Sequence, residues 1–159
     1  MDTIESFRVD HLQLPSGLYL SRTDSVGTEK VLTFDIRMTA PNAEPVMNTA
    51  EIHTIEHVGA TFLRNHPLYN EYILYFGPMG CRTGFYLMVK QGIAGKDLWL
   101  LIRDMFVYVR DYQGTIPGAS PKECGNYLDQ NLPMAKYHAT RFLTVLSSVS
   151  DFSFSYPSI

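Results

Sequence analysis

The alternation of apolar and polar residues predicts two neighbouring strands near the start of the chain. In segment 30–39 one face carries Leu32, Phe34, Ile36 and Met38, and the other carries Thr33, Asp35 and Arg37. A shorter strand-like segment, 16–24, precedes it, and the turn-forming run 26–29 lies between the two. This order predicts an antiparallel pair of strands.

Helical periodicity follows in the middle and at the end of the chain. The first predicted helix begins near Asn48, with Glu51 as its capping-box partner, and ends before Pro67. The second follows Gly95, and its apolar residues are Leu98, Leu101, Ile102, Met105, Phe106 and Val109. A last helix is predicted over 133–148, and a short helical piece capped by Ser120 is predicted from Pro121.

Two further strands complete the predicted fold. Segments 71–76 and 83–90 are strand-like, and the Gly- and Pro-rich run 77–80 separates them. Strands and helices are grouped along the chain instead of alternating regularly. The pattern therefore predicts an α+β fold with a mainly antiparallel sheet packed with helices, in a single domain over residues 1–159.

Composition and charge restrict the classes of function. The chain has 159 residues, of which 45% are hydrophobic and 18% charged, and its formal net charge is −3. The absence of a Lys/Arg-rich run argues against nucleic acid as a partner. No apolar stretch has the length of a membrane span, and the acidic first residues do not resemble a signal peptide. We therefore expect a cytoplasmic protein that does not bind membranes.

The run His53-Thr54-Ile55-Glu56-His57 predicts a metal site. Two histidines at i and i+4 share one helix face, so both imidazoles can bind the same ion, and Glu56 projects to the same side. The order matches the inverzincin pattern, in which the glutamate is a base. Cys124 is the best third ligand because a thiolate binds borderline metals strongly. The alternatives are two exposed histidines without a metal, or a closed structural zinc site with Cys81 or His138 as the fourth ligand.

Cys81 is the second candidate for chemistry. It follows the break between two predicted strands, so we expect it at a loop tip or at the start of a strand, where the adjacent Arg82 would lower the pKa of the thiol. The alternatives are a small buried core cysteine, or a disulfide with Cys124.

Taken together, the motifs resemble the LuxS family of S-ribosylhomocysteine lyases. The matching segments occur in the family's order and spacing. They are Glu5-Ser6-Phe7 with Asp10-His11, Phe34-Asp35-Ile36-Arg37, His53-Thr54-Ile55-Glu56-His57, Pro78-Met79-Gly80-Cys81-Arg82-Thr83-Gly84-Phe85-Tyr86, and Glu123-Cys124-Gly125.

The resemblance implies a reaction and a cofactor. The family cleaves S-ribosylhomocysteine to homocysteine and 4,5-dihydroxy-2,3-pentanedione, the precursor of the autoinducer-2 signal. By resemblance, His53, His57 and Cys124 bind one Fe²⁺ per subunit, which Zn²⁺ or Co²⁺ can replace.

The resemblance also implies roles for further residues. Cys81 and Glu56 match the general acid/base pair, Ser6, His11 and Arg37 match residues around the sugar, and Arg64 matches an arginine near the homocysteine end of the substrate. The family is a homodimer with active sites at the interface, where the segment from Ser6 to His11 reaches the partner's site.

Four positions depart from the family pattern. Tyr75 stands where many members have aspartate, Gly77 replaces a serine, Gln130 replaces a common histidine, and Ala40 replaces a common glutamine. None of the four matches a metal ligand or a member of the acid/base pair.

Two other classes of function remain open from the residues alone. One is a zinc peptidase built on His53, Glu56 and His57, with Glu123 as the third ligand in place of Cys124. The other is a non-catalytic binding module in which both cysteines close a structural metal site. Replacing Cys81 separates these readings, because only a structural site would lose its metal with that thiol.

Overall fold

Four antiparallel strands form one sheet in the order β1-β2-β4-β3. The strands are β1 (Gly17–Val26), β2 (Glu29–Arg37), β3 (Ile73–Pro78) and β4 (Gly84–Lys90). The computed structural model describes residues 2–157, with the backbone alone for Glu5. Gly27, with φ +61°, allows the tight turn that joins β1 to β2.

Three long helices cover one face of the sheet. They are α2 (Thr49–Arg64), α3 (Gly95–Asp111) and α4 (Leu132–Ser147), and a short α1 (Glu5–Arg8) contacts β1. The apolar faces of β2 and β4 meet the apolar stripes of the helices, since Phe34 pairs with Leu87 and Ile36 pairs with Phe85 in the register. This core confirms the predicted α+β class with an antiparallel sheet.

The other face of β2 is polar, and at its carboxyl end it is buried. Asp35 is 1% exposed and Arg37 is 3% exposed. Asp35 lies between Tyr19 on β1 and Tyr86 on β4 in the register. Buried charges are stable only when they are paired and hydrogen-bonded, so this face must contain a complete polar network.

The three long predicted helices are confirmed, with small shifts at their ends. In α2, Oε1 of Glu51 accepts a hydrogen bond of 2.7 Å from the backbone N–H of Asn48, as the predicted capping box requires. The helix ends at Arg64, three residues before Pro67. In the described residues, no helix combines the length and apolar character needed to cross a membrane.

Two local predictions are wrong. The third strand begins at Ile73 and not at residue 71, because residues Asn70–Tyr72 form a short 3-10 helix. The segment after Ser120 forms turns instead of a helical piece. The N–H groups of Glu123 and Cys124 both donate hydrogen bonds to the carbonyl oxygen of Ser120, but no helix continues from them.

Candidate metal centre and catalytic site

The structure brings His53, His57 and Cys124 together. Their nearest ligand atoms all lie within 4.8 Å of one another, and Sγ of Cys124 lies 3.4 Å from Nε2 of His53. Among the side chains that the structure describes, no fourth His, Cys, Asp or Glu joins this group. Two imidazoles and a thiol are donors that suit Fe²⁺, Zn²⁺ or Co²⁺, so the group fits the expected ion.

Backbone carbonyls orient both imidazole rings. Nδ1 of His53 lies 2.9 Å from the carbonyl oxygen of Asp129, and Nδ1 of His57 lies 2.7 Å from that of Pro117. A proton on each Nδ1 satisfies these contacts and leaves each Nε2 with a free lone pair. This is the usual arrangement of metal-binding histidines, in which an outer partner selects the tautomer.

The turn-rich segment after α3 supplies the thiol. The N–H of Asn126 lies 3.4 Å from Sγ of Cys124 and donates to it, which fixes the position of the sulfur. Glu123 projects elsewhere: its Oε2 accepts a hydrogen bond of 2.5 Å from the hydroxyl of Ser120. Glu123 is not part of the donor group, so the geometry does not favour the peptidase ligand set.

The closed structural site is not favoured either. Nε2 of His138 lies 2.9 Å from Oε1 of Glu51, and Cys81 contacts Thr83. Both cysteines are free thiols, which excludes the disulfide in this structure. Neither alternative fourth ligand is therefore available to close the group.

Glu56 lies beside the donor group in a cavity of about 360 Å³. His53 and Glu56 of α2 form one wall, and Met79 and Gly80 form another. Glu56 is half-buried. A carboxylate at this position can exchange protons with a molecule held in the cavity.

Cys81 lies at the tip of the turn between β3 and β4, as predicted. The N–H of Arg82 donates to the carbonyl of Met79 over 2.9 Å, and Arg82 has the positive φ of 61° that closes the turn. The residue as a whole is exposed, although its sulfur is partly buried against Arg37 and Thr83. The alternative of a buried core cysteine is therefore wrong.

The surroundings of the thiol favour the thiolate. Burial of the sulfur raises the pKa of Cys81, but hydrogen bonds from the hydroxyl and N–H of Thr83 and the charge of Arg37 outweigh it, so the pKa lies below its usual value. The hydroxyl of Thr83 is 3.1 Å from Sγ, and Nη1 of Arg37 is 3.9 Å from Sγ. The cation that lowers this pKa is Arg37 and not the expected Arg82, which lines the cavity of His53 and Glu56.

A second cavity, of about 410 Å³, collects the residues expected around the sugar. Ser6, His11, Arg37 and Cys81 all line it. Met79 and Gly80 line this cavity as well as that of Glu56, so the two spaces adjoin along one turn. Nδ1 of His11 lies 2.8 Å from the carbonyl oxygen of Val9, which holds the ring in place.

Arg64 stands apart from both cavities. Its guanidinium donates to the carbonyl oxygens of Ile73 and Leu74, over 2.6 and 2.7 Å, at the start of β3. Within the described chain, these two bonds tie the end of α2 to the sheet. They use two of the five N–H donors of the arginine.

Sequence reasoning missed three participants in the thiol site. Thr83 bonds both Cys81 and Arg37, Asp35 binds the Arg37 guanidinium, and Tyr156 donates to Asp35. One signal was present: Asp35 and Arg37 are two residues apart on a strand and so project from the same face. Nothing in the sequence pattern pointed to Tyr156.

The departures at Tyr75 and Gly77 belong together. A Cβ at position 77 would overlap the phenol of Tyr75, so a serine here would displace that ring. Gln130 is held against α2. Its Oε1 accepts a hydrogen bond of 2.7 Å from the hydroxyl of Thr54, the residue after His53. These replacements are accommodated without loss of the donor group.

Within the residues that the structure describes, three donors without a fourth lie beside a carboxylate and a thiol in adjoining cavities. This donor set is typical of metal-dependent enzymes that leave a coordination position for substrate. The family model described as "S-Ribosylhomocysteinase (LuxS)" matches residues 4–152. The chain belongs to the LuxS family.

Curated relatives are similar over nearly their whole length. The S-ribosylhomocysteine lyase of Clostridium acetobutylicum is 54% identical over 157 residues, which cover 99% of both chains. That of Finegoldia magna is 53% identical with the same coverage, and that of Porphyromonas gingivalis is 49% identical over 158 residues, 99% of both chains.

Proposed function

We propose that this protein is a metal-dependent carbon–sulfur lyase that cleaves S-ribosylhomocysteine to homocysteine and 4,5-dihydroxy-2,3-pentanedione, the precursor of autoinducer-2. The observation that best supports this function is the donor group of His53, His57 and Cys124 beside Glu56 and Cys81, in a chain of the LuxS family. The relatives that share 49–54% of its residues bear the same lyase name.

The donor group would hold one Fe²⁺ per subunit, which Zn²⁺ or Co²⁺ can replace. A mixed imidazole and thiolate set supports each of these ions, and metal supply in the cell selects among them. When bound, the ion supplies Lewis-acid polarisation of a substrate carbonyl.

Cys81 and Glu56 would move the protons. The carbonyl of the sugar must migrate from C1 to C3, and each shift removes a proton from one carbon and returns a proton to its neighbour. Cys81 serves these shifts, supported by the lowered pKa of its thiol. Burial raises this pKa, but the contacts of Thr83 and Arg37 lower it by more. Glu56 then removes the C4 proton, and the electron pair expels homocysteine from C5.

The residues around the second cavity would bind the sugar. Ser6, His11 and Arg37 line it together with Cys81, which supports a role in holding the ribosyl hydroxyls near the thiol. Arg64 would contact the homocysteine end through the N–H donors that its two bonds to β3 leave unused.

We also propose that the protein acts as a homodimer, with each site formed across the interface and the segment from Ser6 to His11 directed at the partner's metal. Exposed apolar side chains support this arrangement. Phe7, which lines the second cavity, is 73% exposed, and Leu12 and Leu128, which adjoin the cavity-lining His11 and Asp129 in sequence, are 81% and 79% exposed. Exposed apolar residues grouped around a site are typical of an interface. The whole chain, residues 1–159, would act as one domain in each subunit.

Mixing two inactive variants tests the shared site. Cys81→Ala breaks only the thiol side, and His57→Ala breaks only the metal side. In a mixed dimer with shared sites, one of the two sites combines the intact thiol of the His57→Ala chain with the intact metal group of the Cys81→Ala chain. Activity should therefore return after subunit exchange. If each site lies within one chain, the mixture stays inactive and the shared arrangement is wrong.

We place the protein in the cytoplasm. Two free thiols and a site suited to Fe²⁺ are typical of a protein in a reducing compartment, which supports this assignment. Fractionation of the source cells with an antibody to the chain would test it, and recovery outside the cytosol would contradict it.

The lyase activity is tested with purified protein loaded with Fe²⁺ without oxygen. Incubation with S-ribosylhomocysteine should release a free thiol at a rate proportional to enzyme, and mass spectrometry should identify it as homocysteine. No release above background by folded, metal-loaded protein would refute the proposal. Hydrolysis of peptides that survives Cys81→Ala would support the peptidase instead, and loss of the metal with Cys81→Ala would support the structural module.

A further inference from the structure

The segment after α4 folds back onto the edge strand of the sheet. The carbonyl oxygen of Phe154 accepts a hydrogen bond of 2.7 Å from the N–H of Leu20, in β1. The ring of Phe154 is 5% exposed and packs edge-on against Phe34, with centroids 5.8 Å apart. The last described residues are therefore anchored in the core.

This anchor brings Tyr156 onto the polar face of the sheet. Its ring stacks on Tyr19 with centroids 4.9 Å apart, and its hydroxyl donates to Oδ2 of Asp35 over 2.9 Å. Burial, followed by the charge of Asp35, raises the pKa of the Tyr156 hydroxyl far above its usual value. The hydroxyl therefore stays protonated and acts towards Asp35 as a donor.

Asp35 transmits this contact to the thiol through Arg37. Nε and Nη2 of Arg37 donate to the two oxygens of Asp35, over 3.1 and 2.6 Å. Its Nη1 donates to the hydroxyl of Thr83 over 2.6 Å, and that hydroxyl lies 3.1 Å from Sγ of Cys81. A continuous chain of contacts thus runs from the tail to the reactive sulfur.

We propose that Tyr156 is a positioning residue for Cys81, which acts through Asp35 and Arg37. By donating to Asp35, its hydroxyl shares the carboxylate charge and keeps the guanidinium fork turned so that Nη1 faces Thr83 and the sulfur. Without that donor, Asp35 neutralises Arg37 more fully, and the thiolate loses part of its support. An effect of Tyr156 on catalysis rests on the proposed function. Its effect on the reactivity of the Cys81 thiol can be measured whatever reaction the protein catalyses.

Other ionisable groups also face Cys81. Arg37 projects from β2, Tyr86 from β4, His11 from the amino-terminal segment, and Arg82 follows the thiol in its turn. Histidine is the type among these that changes charge near neutral pH. The test is therefore repeated in a His11→Gln background, so that any contribution of His11 is separated.

The rate at which iodoacetamide alkylates Cys81 is the readout, measured against pH by mass spectrometry of the Cys81 peptide. Tyr156→Phe keeps the stacked ring and deletes only the hydroxyl, so the midpoint should move to higher pH and alkylation at neutral pH should slow a few-fold. Tyr137→Phe, at an exposed tyrosine of α4, is the matched control and should leave the profile unchanged.

Each outcome has a defined meaning. An unchanged midpoint in Tyr156→Phe, with or without a lower melting temperature, would show a merely structural tail and overturn the proposal. A shift in the same direction in both the wild-type and His11→Gln backgrounds supports it. A shift in a protein that releases no homocysteine would preserve the positioning role and refute only the proposed function.

Discussion

The metal group and the thiol group are assembled in different ways. His53 and His57 come from adjacent turns of one helix, and only Cys124 is brought in from a distant segment. Cys81 is contacted by Arg37 of β2 and by Thr83 of its own turn, and Arg37 is linked through Asp35 to Tyr156 of the carboxyl-terminal tail. One group is largely set by local helix geometry, and the other by long-range pairing.

The two groups also have different physical requirements. The donor group needs fixed distances, which a helix and two backbone carbonyls provide. The thiol needs a shifted pKa, which buried charges and hydrogen bonds provide. Damage to one group should therefore leave the other measurable, and the predictions below use that independence.

Replacing a proposed metal ligand should have the largest effect. His57→Ala removes one of three donors, so bound metal and lyase activity should both fall by more than the roughly 100-fold expected when an outer partner of a ligand is lost. Metal analysis and the homocysteine assay measure the two losses. The pH profile of Cys81 alkylation should stay in place, and a large shift would mean that the two groups are not independent.

Replacing the thiol should slow turnover strongly and leave metal binding intact. Cys81→Ala deletes the proposed proton-transfer group, so kcat should fall about 10²- to 10⁴-fold. Its metal content should equal that of the wild type, because Cys81 is not among the three clustered donors. A variant that keeps its activity would remove Cys81 from the mechanism.

Replacing Arg37 should destabilise the fold. Arg37→Met leaves Asp35 buried with an unpaired charge, which should cost about 3–5 kcal/mol in the free energy of unfolding. Urea denaturation measures this cost. Arg141→Met is the control, because it breaks a more exposed pair with Glu44 and should cost no more than about 1 kcal/mol. Equal costs in the two variants would contradict the buried network.

Removing the Thr83 hydroxyl should produce the smallest change. The hydroxyl stabilises the thiolate, so Thr83→Val should raise the pKa of Cys81 towards its usual value. Since only the thiolate reacts, alkylation at neutral pH should slow several-fold and the profile should move to higher pH. Thr140→Val, at an exposed position of α4, should leave the profile in place. A shift to lower pH in Thr83→Val would contradict the assigned hydrogen bond.

Local periodicity predicted most of the fold. The three long helices and the β1–β2 pair follow from apolar spacing and turn residues, which act within a few residues. The start of β3 was misplaced because Glu71 and Tyr72 continue the strand-like pattern, although their backbone forms a 3-10 turn. The turn after Ser120 has a helix-like start, but no apolar stripe continues it.

The candidate site was predictable to the extent that its residues are neighbours in sequence. The spacing of His53 and His57 predicted one helix face, and thiolate chemistry singled out Cys124. The neighbouring residue in sequence was a misleading guide at Cys81, because the cation that lowers the pKa of the thiol is Arg37 and not Arg82. The β2–β4 register, which pairs Arg37 with Gly84, brings that cation to the thiol.

Exchange of sugar protons with solvent deuterium is the most direct test of whether the two groups act on one substrate. With metal-loaded wild-type protein and S-ribosylhomocysteine in D₂O, NMR should show deuterium at carbons beside the migrating carbonyl as homocysteine is released. Cys81→Ala with a full complement of metal should show neither the exchange nor the release. Exchange at the wild-type rate in that variant would contradict the account, since the metal side alone would then perform the proton transfers assigned to the thiol.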